Sequence, residues 1–102
     1  MKVRYTARSR AQAKQEIDWW RKNRQDSPEL ALDDLRMAIE RIRKFAKVPK
    51  PYGRLDGELI WRLQTKSTRL HVYYTVDDAS QVAHIEFVWG ARRGTEPLLD
   101  EP

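Results

Sequence analysis

Residues 58–89 contain three runs rich in β-branched and aromatic side chains: "ELIWRLQT" (58–65), "RLHVYYTV" (69–76) and "QVAHIEFVW" (81–89). Only "KST" and "DDAS" connect them. Connections this short leave no room for a crossover, so the runs pair as a meander of antiparallel hairpins. Alternation then divides their side chains between two faces. Leu59, Trp61, Leu63, Leu70, Val72, Tyr74, Val76, Ala83, Ile85, Phe87 and Trp89 form an apolar face that something must cover. The other face carries Arg62, Gln64, His71, Tyr73, Thr75, His84 and Glu86.

The cover lies upstream. In "ELALDDLRMAIERIRKFAK" (29–47), Leu32, Leu35, Ile39, Ile42 and Phe45/Ala46 recur at helical spacing, with Arg36, Glu40, Arg43 and Lys44 on the charged side. Its acidic residues fall early and its basic ones late, as the helix dipole favours. "ARSRAQAKQEIDWWRKNR" (7–24) has helix-forming composition, with Ala13, Ile17 and Trp20 on one stripe and Trp19 at its edge. "QDSP" separates the helices; Asp26 or Ser27 is expected to cap the second, with Pro28 in its first turn. "KVRYT" (2–6) alternates like a strand and adds Arg4 to the polar face if it joins the sheet. "VPKPYGRLDG" (48–57), with two prolines and two glycines, reads as a loop. The expected fold is therefore α+β, in the order β-α-α-β-β-β. A helical hairpin packs on one face of an antiparallel sheet, in one domain over residues 1–102 whose end (90–102) is an irregular tail.

The 102 residues suit one modest core, and the absence of cysteine excludes disulfides, thiolate metal sites and thiol nucleophiles. No signal peptide or membrane-crossing run is visible, so a cytoplasmic location is expected. The net charge of +5 divides unevenly: residues 1–50 hold 14 Lys/Arg and 7 Asp/Glu (+7), residues 51–102 hold 6 and 8 (−2). Such a balance favours acidic partners, nucleic acid or protein, although most of these cations belong on solvated helix faces.

The polar sheet face offers chemistry. Arginine forks a phosphate, histidine and glutamate move protons, and tyrosine stacks or donates. RNA cleavage through the 2′-hydroxyl needs such a set. An antiparallel sheet with one face in water shows the same residue types without any function, and Glu86 then simply pairs with Arg62 or Arg4. The two histidines and Glu86 lack a metal-ligand spacing, and no glycine-rich phosphate loop is present, so no metal or cofactor is expected. "VWGARRG" (88–94) closes the last strand. Gly90 is expected to make the turn that presents Arg92 and Arg93, for a phosphate, for an acidic partner, or as a clamp on the sheet end.

The element order resembles the RelE/ParE superfamily of toxins from bacterial type II toxin–antitoxin modules. The resemblance covers about residues 2–98 and is carried by the helical hairpin, "PYGR" (51–54), "WRL" (61–63), "HVYYTV" (71–76) and "VWGARRG". It implies a cognate antitoxin, a partly acidic protein that wraps and neutralises the toxin in a hetero-oligomer. It also implies one of two activities. ParE-like members inhibit DNA gyrase without catalysis; RelE-like members cleave mRNA on the ribosome. For the nuclease, the pattern maps the cationic positions onto Arg62, His71 (with Arg69 nearby) and Arg92 or Arg93, while Gln64 stands where a second basic residue belongs. The C-terminal tyrosine or His-Tyr pair has no counterpart near Leu98 and Leu99. On the same face Arg4, Tyr73 and Glu86 are candidate binding groups. The missing residue favours growth inhibition of the ParE type. The alternatives are mRNA cleavage, a small basic RNA- or protein-binding module, and a degenerate toxin that retains only antitoxin binding.

Overall fold

The computed structural model describes residues 1–97 and Leu99. The first strand β1 (Lys2–Tyr5) leads into two helices, α1 (Ala7–Asn23) and α2 (Leu30–Phe45). Four strands follow: β2 (Gly53–Leu55), β3 (Glu58–Gln64), β4 (His71–Asp77) and β5 (Val82–Trp89). They form one sheet in the order β1-β5-β4-β3-β2. The expected meander is present, with Arg62 opposite Tyr73, Gln64 opposite His71, and His71 opposite Trp89.

The strand pairing of the sheet departs from the expectation in two ways. Edge strand β1 runs parallel to β5, so the sheet is mixed. The segment read as a loop supplies β2, paired antiparallel to β3. Asp56 (φ 51°) and Gly57 (φ 83°) make the two-residue turn between them, both left-handed as a tight hairpin of the primed type requires.

Helix α1 is capped by Thr6, whose Oγ1 accepts from the Ser9 N–H at 3.1 Å. Neither Asp26 nor Ser27 caps α2; Glu29 takes the cap position without a side-chain bond. The Glu29 carboxylate instead receives a two-pronged hydrogen bond from Arg21, at 2.8 Å on each oxygen, which ties the end of α1 to the start of α2.

Ala31, Leu35, Ala38 and Ile42 of α2 pack with Ala13 of α1 on Trp61, Val72, Tyr74, Ala83, Ile85 and Val88 of the sheet. Tyr74 donates to the Ala46 carbonyl at 2.7 Å, pinning the exit of α2 to β4. Phe45, expected on the buried stripe, is 56% exposed; Ala46 beside it is buried. Buried Asp34 of α2 accepts from the Ser67 N–H (3.0 Å), the Thr68 N–H (2.7 Å) and the Thr68 hydroxyl (2.7 Å), holding the β3–β4 turn against the helix.

A register shift on β5 changes its faces. Tyr73 lies opposite Phe87 but Tyr74 opposite Ile85, so Glu86 is the extra residue of a bulge. Beyond it the alternation is inverted. Val88 enters the helix-covered core, while Phe87 and Trp89, expected there, turn to the far face and form a second apolar cluster with Ile60 and Tyr73.

Among the described residues no helix is long and apolar enough to cross a membrane.

Candidate functional site

The far face of the sheet is a braced aromatic surface rather than a row of solvated polar groups. Tyr73 is fully buried at its centre. Edge-on rings of Tyr52, His71 and Phe87 surround it at 5.8, 6.3 and 6.0 Å. The bulge makes this possible, because it delivers Phe87 to the face that the polar residues of β4 already occupy.

Arg62 of β3 lies over the Tyr52 ring at 4.0 Å and donates to the Tyr52 hydroxyl at 3.1 Å. The Tyr52 and Tyr73 hydroxyls both donate to Oε2 of Glu96, Tyr73 at 3.2 Å, and Arg62 Nη1 stands 3.5 Å from the same oxygen. The Glu96 hydrogen bond raises the Tyr52 phenol. Burial raises Tyr73 to about 12. His71 is lowered, first by burial and then by the Arg62 charge, so its imidazole is neutral at pH 7.

The remaining candidates are spread out. Glu86 accepts from the Thr75 hydroxyl at 2.8 Å and lies 3.7 Å from Arg8 of α1. Among the described residues no hydrogen bond or ion pair joins it to Arg62, Arg4 or His71. Arg8 also donates to the Glu86 carbonyl at 3.1 Å and covers the Phe87 ring at 3.9 Å. Arg4, exposed on edge strand β1, is registered with His84. Arg69 (φ 55°) sits in the β3–β4 turn, at the rim of a groove beside α2. The structure thus brings together Arg62, His71 and Tyr73, and sets Arg4, Glu86 and Arg69 elsewhere. Among the described residues no group of three or more His, Asp or Glu side chains is placed to hold a metal ion. Leu98, one of the two positions matched to the superfamily's C-terminal tyrosine, lies outside the described residues.

Arg92 and Arg93 turn toward α1, and the Arg93 guanidinium also lies over the Trp89 ring at 5.4 Å. Both lie on a short 3₁₀ turn (Ala91–Arg93) and converge on Glu16, a carboxylate buried in α1. Arg92 donates to Glu16 Oε1 at 2.7 Å and stacks on Trp19 at 4.4 Å. Arg93 Nε is 3.4 Å from Glu16 Oε2, and its Nη2 donates to Gln15 at 2.6 Å. Gly90 has an ordinary φ of −99°, so it does not serve as a left-handed turn. Its role is space: a Cβ there would lie 2.8 Å from Glu16 Oε1. Gly90→Ala is therefore expected to push the carboxylate off Arg92 and cost about 1–3 kcal/mol, read as a lower urea midpoint.

The raised tyrosines set an alkaline limit. Burial holds Tyr73 and Tyr74 at about 12, against 10.0 for a free phenol. The folded state keeps protons that the unfolded chain releases. Stability from these two groups is full below pH 10 and is lost as pH rises through about 12. Urea titrations at pH 9 and pH 11 should show the fall, and Tyr73→Phe should make it shallower.

Arg8, Glu16, Tyr52 and Glu96 were not anticipated as site residues. Glu16 alone carried a readable signal: it is spaced three and four residues from Ala13 and Trp20, on the buried stripe.

The fold has a counterpart among solved structures. A chain in the structure described as "Chromosomal ParDE TA system from P. aeruginosa" superposes with a TM-score of 0.64 at 17% identity, over 88% of this chain and 95% of that one. The match establishes a common fold, the one the RelE/ParE resemblance implies. No protein-family model matches the sequence, and neither does any curated protein.

Proposed function

We propose that this chain is the toxin of a type II toxin–antitoxin pair, that it blocks its target without catalysis in the ParE manner, with DNA gyrase as the target, and that a cognate antitoxin neutralises it. The fold it shares with a chain of the ParDE system supports the toxin reading. The observation that carries the choice of branch is the position of Arg92 and Arg93. Their guanidinium groups are paired with buried Glu16 of α1, and neither makes a hydrogen bond or ion pair within the Arg62 cluster. A phosphate-cleaving site would need those cations free to meet the phosphate rather than paired with a buried carboxylate.

The antitoxin reading gains support from a groove of about 590 Å³ between α2 and β3. Met37 and Phe45 expose apolar surface there, rimmed by Arg41, Lys44, Lys66 and Arg69. An acidic amphipathic segment has the complementary chemistry.

The second reading, ribosome-dependent mRNA cleavage, is favoured by one observation: Arg62, Tyr73 and a neutral His71 share one patch. Brief expression of the chain alone, with growth followed and mRNA 5′ ends mapped by primer extension, separates the two. Growth arrest without new 5′ ends inside translated frames is expected. New ends that vanish in Arg62→Ala would establish the nuclease instead, and unimpaired growth would contradict both.

A further inference from the structure

A second groove runs between the two helices, on a different side of α2 from the groove of Met37 and Phe45. The wide apolar stripe of α2 creates it. Leu35 and Ile42 are buried in the core, whereas Leu32 and Ile39 stay half-buried. Together with half-buried Ile17 of α1 they give the groove an apolar floor. Its volume is about 390 Å³, inside the range of roughly 300–1,000 Å³ that small-molecule sites occupy. On α1 its lining reaches from Arg10 to Arg21, about 16 Å along the helix axis.

The two ends of the groove differ. At one end Arg21 is spent on Glu29, with both bonds at 2.8 Å. Toward the other end lie Tyr5 and Arg10, whose guanidinium stands 5.9 Å from the Tyr5 ring. Lys14 and Arg36 line the groove as well. Among the described residues no ion pair engages Arg10, Lys14 or Arg36. Asp18 is the only carboxylate in the lining, against four cations. Burial raises the Tyr5 phenol, so its hydroxyl is a donor at neutral pH. An apolar floor with a few donors gathered toward one end is the composition of a small-molecule site.

We propose that this groove binds a small amphiphilic anion, an apolar chain that ends in one carboxylate. The head group meets Arg10, Lys14, Arg36 and the Tyr5 hydroxyl, and the chain lies over Ile17, Leu32 and Ile39. Charge complementarity selects the head, and the length and apolar floor of the groove select the body. Two other occupants fit less well. A partner helix is about 10–12 Å across with its side chains and would ride above the groove rather than fill it. A second copy of this chain, itself at +5, would set cation against cation. The inference stands apart from the toxin reading, because it requires no cellular target.

The test is a titration of the full chain with decanoate, below the concentration at which it forms micelles, and with decanol, which has the same body and no charge. Decanoate should bind saturably and one to one. Amide shifts should centre on residues 13–18 and 32–36 and spare residues 65–69 of the other groove. Arg10→Gln/Arg36→Gln, at two exposed positions, should weaken decanoate at least roughly tenfold, the loss of two charge-assisted contacts. It should leave decanol nearly unchanged. Lys2→Gln/Lys22→Gln removes the same charge from exposed positions outside the groove and should bind decanoate like the parent. Leu32→Asn, which makes the floor polar, should weaken both probes together.

The proposal is overturned if decanoate fails to saturate, if the shifts centre on the groove of Met37 and Phe45, or if the two double variants bind decanoate equally. Vesicles of phosphatidylglycerol separate a free amphiphile from a membrane surface. Decanoate binding by a chain that stays in solution beside the vesicles supports the proposal. Sedimentation with the vesicles, lost in Arg10→Gln/Arg36→Gln and without decanoate binding, identifies a lipid surface instead and overturns it.

Discussion

Replacing both Arg92 and Arg93 by alanine is expected to destabilise the chain by about 3–5 kcal/mol, the cost of stripping the partners from a buried carboxylate. Glu16 is 2% exposed at its side chain, whereas Arg92 and Arg93 are 41% and 23% exposed. That asymmetry makes the prediction directional. In the double variant the Glu16 carboxylate loses both of its cationic partners. In Glu16→Ala the two arginines can turn outward, so the expected loss is smaller, about 1–3 kcal/mol. Combining all three substitutions should recover part of the stability lost by the double variant, because no buried charge remains. At about 4–8 °C per kcal/mol for a domain near this size, the double variant should melt more than roughly 12 °C lower. Urea denaturation of the three variants checks the order. A double variant more stable than Glu16→Ala would contradict a clamp built around the carboxylate.

The order also bears on function. A chain that loses activity through Arg92 or Arg93 loses it first through folding, so Arg62 is the cleaner probe of phosphate chemistry.

Asp34→Ala should cost about 2–4 kcal/mol, since it leaves two backbone N–H groups without their acceptor and removes a charge-assisted bond to Thr68. Asp34 is 4% exposed, and all three donors come from the β3–β4 turn. That turn also holds Arg69 at φ 55°, a conformation a side-chain-bearing residue adopts only when its surroundings enforce it. Asp34→Asn keeps an acceptor oxygen and should cost clearly less. Hydrogen exchange at the Ser67 and Thr68 amides should accelerate in the alanine variant and much less in the asparagine variant. Equal losses in the two variants, or a loss below about 1 kcal/mol in Asp34→Ala, would show that the turn holds itself.

What was legible in the sequence follows from where the determining contacts lie. The stripe of Leu35, Ile39 and Ile42 and the alternation along β3 and β4 are local patterns, and the structure follows them. The parallel pairing of β1 with β5 joins Lys2 to Val82 and leaves no local trace. Strand β2 was hidden behind Pro49, Pro51 and Gly53, although Asp56-Gly57 is itself a hairpin-turn signal. The bulge at Glu86 moved Phe87 and Trp89 to the other face, because one inserted residue inverts everything beyond it. Of the candidate site, Arg62, His71 and Tyr73 were readable as neighbours from the meander alone. Arg8 and Glu96 reach that face from a helix and a tail, and their distances depend on the closed fold.

A supercoiling reaction with purified DNA gyrase, relaxed plasmid, ATP and increasing amounts of the purified chain tests the proposed inhibition of gyrase without catalysis. Supercoiling is expected to stop and cleaved gyrase–DNA complexes to accumulate as the chain approaches gyrase in amount, with Arg62→Ala retaining the effect. Full supercoiling at a large excess of folded chain would contradict it.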